Sequence, residues 1–216
     1  FTILAPHQAA KVRRIGTEAW TDVSGGRVET RMPYLCRLPS GRSIAVFFYD
    51  GGIAHDIAFG DLLNDGRRFA GRLLDAFSSG RDRPELVHIA TDAETYGHHK
   101  KFGDMALACC LRTIERSRDT SLTVYGEYLA AHPPTHEVIV RERTSWSCVH
   151  GVERWQQACG CHSGTPPGWS QAWREPLREA VVRVRDAIAP RAAEVLATLV
   201  RDPAAAREDA VGLVLA

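Results

Sequence analysis

Between Ile89 and His99 the chain places two carboxylates (Asp92, Glu94), a phenol (Tyr96), two imidazoles (His98, His99) and threonine hydroxyls around one glycine, Gly97. Asp92 and Glu94 are two residues apart, so on extended backbone they point the same way and both can face one cleft. A carboxyl in a cleft can have its pKa raised by burial and by a like-charged neighbour, which is what a general acid at neutral pH needs. Gly97 lets the backbone turn tightly, and His98 and His99 suit substrate hydroxyls or a metal ion. The plainer reading is a helix start capped by Asp92 or Thr95, with the histidines merely exposed.

A second group lies downstream, in Cys148-Val-His150 and Cys159-Gly-Cys161-His162. Zinc takes four Cys or His ligands tetrahedrally, which makes Cys148, His150, Cys159 and Cys161 candidate ligands of a structural rather than catalytic ion. The spacing departs from that of a finger, whose paired ligands lie two to four residues apart on both sides. A disulfide and a set of unlinked thiols stay open as alternatives. Cys109 and Cys110 sit in an apolar helical pattern and read as small core residues. The thiols are expected to be reduced, which points to the cytoplasm.

The elements that must hold the first cluster are a short apolar run, Glu85 to Ala90, read as a buried strand, and a helical pattern from about Phe102 to Arg118. Other strands are expected at Phe1–Ala5, Tyr34–Leu38, Arg42–Tyr49, Ser121–Tyr125 and Glu137–Arg141. Helical spacing runs over Ile53–Leu63 and Phe69–Phe77. Alternating strands and helices imply parallel βα units, whose strand ends share one rim. On that rim would stand His7, Asp50, Asp92 with Glu94, Glu127 and Trp146. After the break at Pro166-Pro167-Gly168, helices are expected over Trp169–Ile188, from Pro190 and from Pro203. Four-residue spacing puts Trp169 and Trp173 on one helix face, which reads as core packing. The chain thus divides into an α/β domain, residues 1–164, and a helical segment, residues 165–216, that packs as a small layer.

Of 216 residues, 44% are hydrophobic and 25% charged, and 27 Lys and Arg oppose 26 Asp and Glu. The net charge of +1 gives no electrostatic case for nucleic acid or an acidic membrane surface. No apolar run approaches the ~20 residues that span a bilayer. The chain opens on Phe1 within a strand pattern, so further residues are expected upstream.

Asp92-Ala-Glu94-Thr-Tyr-Gly97-His98 resembles the Asp-x-Glu-x-x-Gly-His motif of family 57 glycoside hydrolases, which act on α-glucans. Phe48-Tyr-Asp50 ahead of Ile57-Ala-Phe59 is similar to a second family segment, with Tyr49 where Arg is usual. Thr144-Ser-Trp146-Ser followed by Gly168-Trp169-Ser-Gln-Ala-Trp173 resembles a third. The similarity runs to about Arg178, closest to a branch carrying a domain of unknown function. It implies part of a (β/α)7-type barrel followed by a small C-terminal helical layer, and a retaining mechanism with two carboxyl groups ~5 Å apart. Asp92 would be the general acid/base and Glu94 its support. His7, Asp50, His55, Tyr96, His98 and Trp146 are the candidate substrate-binding residues. The substrate would be an oligo- or polysaccharide, and catalysis would need no cofactor. The family's nucleophilic glutamate would lie on a strand before Phe1; Glu94 and Glu127 are the substitutes within the chain. Two other classes stay open. One is a metal-dependent carbohydrate hydrolase or deacetylase using Asp92, His98 and His99, with Glu94 as base. The other is a non-catalytic α-glucan-binding protein.

Overall fold

In the computed structural model, which describes residues 1–80, 82–161 and 166–207, most strands are β-branched or aromatic runs and the longest helices are rich in Ala, Leu and Val. The order is β1 (Thr2–Leu4), β2 (Ala9–Arg14), β3 (Thr21–Asp22), β4 (Tyr34–Arg37), β5 (Ser43–Phe48), α1 (Gly51–Ala58), α2 (Gly66–Leu74), α3 (Gly103–Glu115), α4 (Tyr125–Ala131), β6 (His136–Val140) and α5 (Arg174–Leu199). The chain falls into two compact units, Phe1–Ser147 and Cys148–Ala216.

The first unit is mixed α/β. Among the described residues its six strands form one sheet in the order β1-β5-β4-β6-β2-β3. The hairpin expected at Pro39-Ser-Gly41 is present as antiparallel β4 and β5, with Tyr34 opposite Val46 and Arg37 opposite Ser43. The all-parallel arrangement is not: β1–β5 and β4–β6 are parallel, whereas β2–β6, β4–β5 and β2–β3 are antiparallel. β6 therefore runs opposite to β1 and β5. Between β1 and β2 stand three other strands, about 19 Å of flat sheet at the usual spacing. The connection is one 3-10 turn, Pro6–Gln8, too short for that span, so the sheet must curl.

β2 carries Lys11, Arg13 and Arg14 and reads as polar chain, but tertiary pairing makes it a strand. Arg13 bonds Glu137 of β6 at 2.6 Å, and Arg37 of β4 reaches the same carboxylate. The hydrogen bonds from Arg37 and then Arg13 hold the Glu137 carboxyl below its ordinary range.

Glu85–Ala90 and Ser121–Tyr125 are absent from the sheet. The first stays extended, with Val87 and Ile89 against the helical core and His88 turned the other way. It joins its neighbours through Leu86 N–H to Arg31 O and Asp50 N–H to His88 O, both 2.9 Å, without a ladder. In the second, residues 121–124 are exposed and Tyr125 opens α4 instead. A strand needs a neighbour to satisfy its backbone groups, and the described residues supply no continuous ladder along either run.

One core lies among α1, α2 and α3 (Ile53, Ile57, Phe69, Cys110, Ile114) and another along the sheet (Val23, Tyr34, Val46, Phe48, Val138). Gly66 starts α2 because an added Cβ would come within 2.5 Å of Ala106 O and of Cys109 Cβ.

In the second unit α5 is continuous from Arg174 to Leu199 with Pro190 inside it, so the break expected at Pro190 does not occur. Proline removes one intrahelical donor, which this helix tolerates without ending. α5 has no buried residue, and Trp169 and Trp173 are exposed rather than core. Residues 203–207 are helical, with Asp202 accepting from Ala204 and Ala205 N–H at 3.0 Å. Among the described residues no helix is long and apolar enough to cross a membrane.

Candidate active site

The extended run Glu85–Ala90 is the platform beneath the polar cluster. Glu85 anchors its start by accepting from Ser78 N–H at 2.8 Å and Ser78 Oγ–H at 2.7 Å. His88 is 8% exposed, edge-on to Phe47 and Tyr125, with Nδ1 3.0 Å from Tyr125 Oη. Its Nε2 is buried and has no hydrogen-bond partner among the described residues. Burial lowers the His88 pKa to about 4, against the opposing pull of the Thr30 and Phe48 backbone and, more weakly, of Asp50. A histidine inside an apolar run was the available signal for this residue, and alternation along the strand pattern masked it.

At Thr91 the chain leaves the platform and turns through a 3-10 helix, Ala93–Thr95. Thr91 Oγ1 donates to Tyr96 Oη at 3.0 Å. Glu94 O then accepts from both His98 and His99 N–H, at 3.1 and 2.9 Å, with Gly97 at φ +132° between them. That left-handed backbone is why glycine stands there. Thr95 is buried and Tyr96 packs on the helical core, where burial chiefly pushes its phenol up. Gly103 holds the turn against α3, since a Cβ there would lie 3.1 Å from Tyr96 Cα. Asp92, Glu94, His98 and His99 are all exposed, and the His98 and His99 rings are 4.9 Å apart. Asp92 sits at the N-cap of the turn, yet its side chain makes no capping bond there. Its carboxylate stands on a hydrogen-bonded turn and is exposed.

The remaining candidates stand in several places. Asp50, at the end of β5, caps α1 by accepting from Ile53 N–H at 2.9 Å, and its own N–H binds His88 O. His55 is exposed on α1 beside Phe59, rings 5.2 Å apart. His7 Nε2 is 3.0 Å from Ser145 O and Gln8 donates to Thr144 Oγ1 at 3.2 Å, so the turn after β1 meets the loop bearing exposed Trp146. Glu127 lies in the first turn of α4, bonded to Thr123 Oγ1 at 2.9 Å. It lines a cavity of about 580 Å³ between the platform and residues 119–132, together with His88 and Tyr125. Among the described residues the metal-ligating atoms that converge are those of Cys148, His150, Cys159 and Cys161, not those of Asp92, His98 and His99. His162 lies outside the described residues.

The fold has a solved counterpart. The structure is similar to the crystal structure of a novel exo-type maltose-forming amylase from Pyrococcus sp. ST04, with TM-score 0.64 and 16% identity, over 93% of this chain and 36% of that one. The chain thus spans about a third of the length of that neighbour. Residues 169–216 match a domain of unknown function (DUF3536), a domain found in family 57 glycoside hydrolases. The chain resembles the family 57 glycoside hydrolases. The match covers α5 and the exposed Trp169 and Trp173. No curated protein sequence matches the chain.

Proposed function

We propose that this chain is the part of a retaining α-glucan-active glycoside hydrolase, or glucanotransferase, that carries the general acid/base, Asp92. The observation that supports this most is an exposed carboxylate pair, Asp92 and Glu94, on a braced turn in a fold similar to an amylase. In this reading the curled sheet is a portion of a (β/α)7-type barrel, and the helices after residue 165 form a separate segment.

The chemistry assigns Asp92 two proton transfers. As a nucleophilic carboxylate attacks the anomeric carbon, Asp92 gives its proton to the glycosidic oxygen and the C–O bond breaks. In the second half, the Asp92 carboxylate takes a proton from the attacking water or sugar hydroxyl, and the glycosyl ester opens. Glu94 sustains the electrostatic setting of Asp92. Tyr96, His98, His7, Asp50, His55 and Trp146 are the groups proposed for the sugar hydroxyls and faces. The nucleophile is assigned to a glutamate outside this chain, in keeping with the 36% of the neighbour that the chain spans. A reducing compartment, the cytoplasm, suits the cysteine chemistry.

The test is Asp92→Asn in the complete protein. Turnover of maltooligosaccharides should fall by about 10²–10⁴-fold, the usual size of acid/base assistance. An aryl glucoside whose leaving group needs no proton should still form the glycosyl-enzyme. Near wild-type rates on maltooligosaccharides would refute the assignment. Binding without turnover in the unsubstituted complete protein would point instead to a glucan-binding protein.

A further inference from the structure

In the second unit four side chains aim at one point. Cys148 Sγ lies 3.7 Å from His150 Nδ1, 4.0 Å from Cys159 Sγ and 3.7 Å from Cys161 Sγ, and His150 Nδ1 lies 3.2 Å from Cys161 Sγ. All four ligating atoms fall within 4.8 Å of one another. A disulfide would need two sulfurs about 2.05 Å apart, and three converging sulfurs would leave one unpaired. A tetrahedral ion bound at about 2.3 Å to sulfur and 2.05 Å to nitrogen needs S···S edges of about 3.8 Å and S···N edges of about 3.6 Å. The three edges from Cys148 and the His150–Cys161 edge match that figure to within a few tenths of an ångström, and the other two stay within 4.8 Å.

We propose that Cys148, His150, Cys159 and Cys161 form a structural zinc site that fastens the loop after Ser147 to the start of α5. The surroundings suit such an ion. Three thiolates, a neutral imidazole and Zn²⁺ leave one negative charge, and Arg174 Nη1 stands 3.8 Å from Cys159 Sγ to meet it. Gln171 Nε2 donates to Cys161 O at 2.6 Å, and Gln171 Oε1 accepts from Arg174 at 2.7 Å. Such partners commonly orient the ligands of a metal and tune its charge. Gly160, at φ +79°, supplies the left-handed residue that lets Cys159 and Cys161 turn toward a shared point. All four positions are filled by protein, which is the form of a structural site rather than a catalytic one.

Energetics point the same way. α5 contributes no buried residue, so apolar burial within this unit is slight. Units of that kind draw folding free energy from their metal. Zn²⁺ bound by three thiols and a neutral imidazole gives a zinc trithiolate–imidazole centre and releases three protons, with no change of oxidation state.

The experiment measures metal content of the complete protein, purified under reducing conditions without chelator. One zinc per chain is expected. Replacement by Co²⁺ should give thiolate charge-transfer absorption and the intense visible bands of a tetrahedral site. Cys159→Ser and Cys161→Ser should lose the ion, while Cys36→Ser and Cys109→Ser keep it. Because the first two variants can misfold, the Co²⁺ spectrum of the unsubstituted protein stands as an independent check. Absence of zinc after reconstitution, an octahedral Co²⁺ spectrum, iron in place of zinc, or zinc retained in Cys161→Ser would each overturn the proposal.

Discussion

His88 offers a perturbation whose size follows from its surroundings. The ring is enclosed by Phe47 and Tyr125, and burial lowers its pKa from 6.5 to about 4. In the unfolded chain the imidazole titrates near its ordinary value. Between pH 6.5 and about 4, therefore, the unfolded chain binds a proton that the folded chain refuses. Stability is full above the unfolded pKa and is lost as pH falls toward the folded one. Each tenfold weakening of proton binding corresponds to about 1.4 kcal/mol, so the whole window amounts to roughly 3 kcal/mol. His88→Phe keeps a planar ring beside Phe47 and removes the titration, while losing the bond to Tyr125 Oη. Its stability at neutral pH is set by that lost bond, but its slope with pH is set by the missing imidazole. Urea unfolding followed by tryptophan fluorescence at half-unit pH steps from 7 to 4 would compare the two slopes. The carboxylates titrate alike in both proteins and cancel in the difference. The wild-type curve should fall by roughly 3 kcal/mol more than that of His88→Phe across the window. Parallel curves would refute the claim that the platform holds a neutral, desolvated imidazole.

Two further perturbations test the scaffold around the turn. Gly66→Ala forces a methyl to 2.5 Å from Ala106 O and should cost about 1–3 kcal/mol or more. Gly71→Ala, in the same helix with open space at its Cβ, should instead stabilise by about 0.5–1 kcal/mol; thermal melts that rank the two the other way would contradict the contact between α2 and α3. Asp50→Ala should lose about 1 kcal/mol through the Ile53 N–H cap, and Asp50→Ser should recover most of it. Equal losses in both variants, measured by denaturant titration, would show that the cap is not the cause.

The local signals were strong where neighbours in sequence are neighbours in space. The β4–β5 hairpin, α3 and the polar turn of Asp92, Glu94 and Gly97 follow from alternation, helical spacing and a glycine at positive φ. The likeness to family 57 was legible in the same motif. Where an element depends on distant partners, pattern misled. β2 is a strand because Glu137, more than a hundred residues away, meets Arg13. Ser121–Val124 has strand composition but lies exposed without a ladder, and Tyr125 starts a helix.

Residue type by itself determined which chemistry this chain can offer: carboxylates and imidazoles on one turn, thiols and an imidazole on another segment. Tertiary structure alone decided their surroundings. It exposed Asp92 and Glu94, enclosed His88, made Asp50 a cap, and drew Cys148 to within 4.0 Å of Cys159 across eleven positions. The physical reason is that donors, acceptors and ligands are properties of single residues, whereas burial and convergence depend on long-range packing, which no local pattern records.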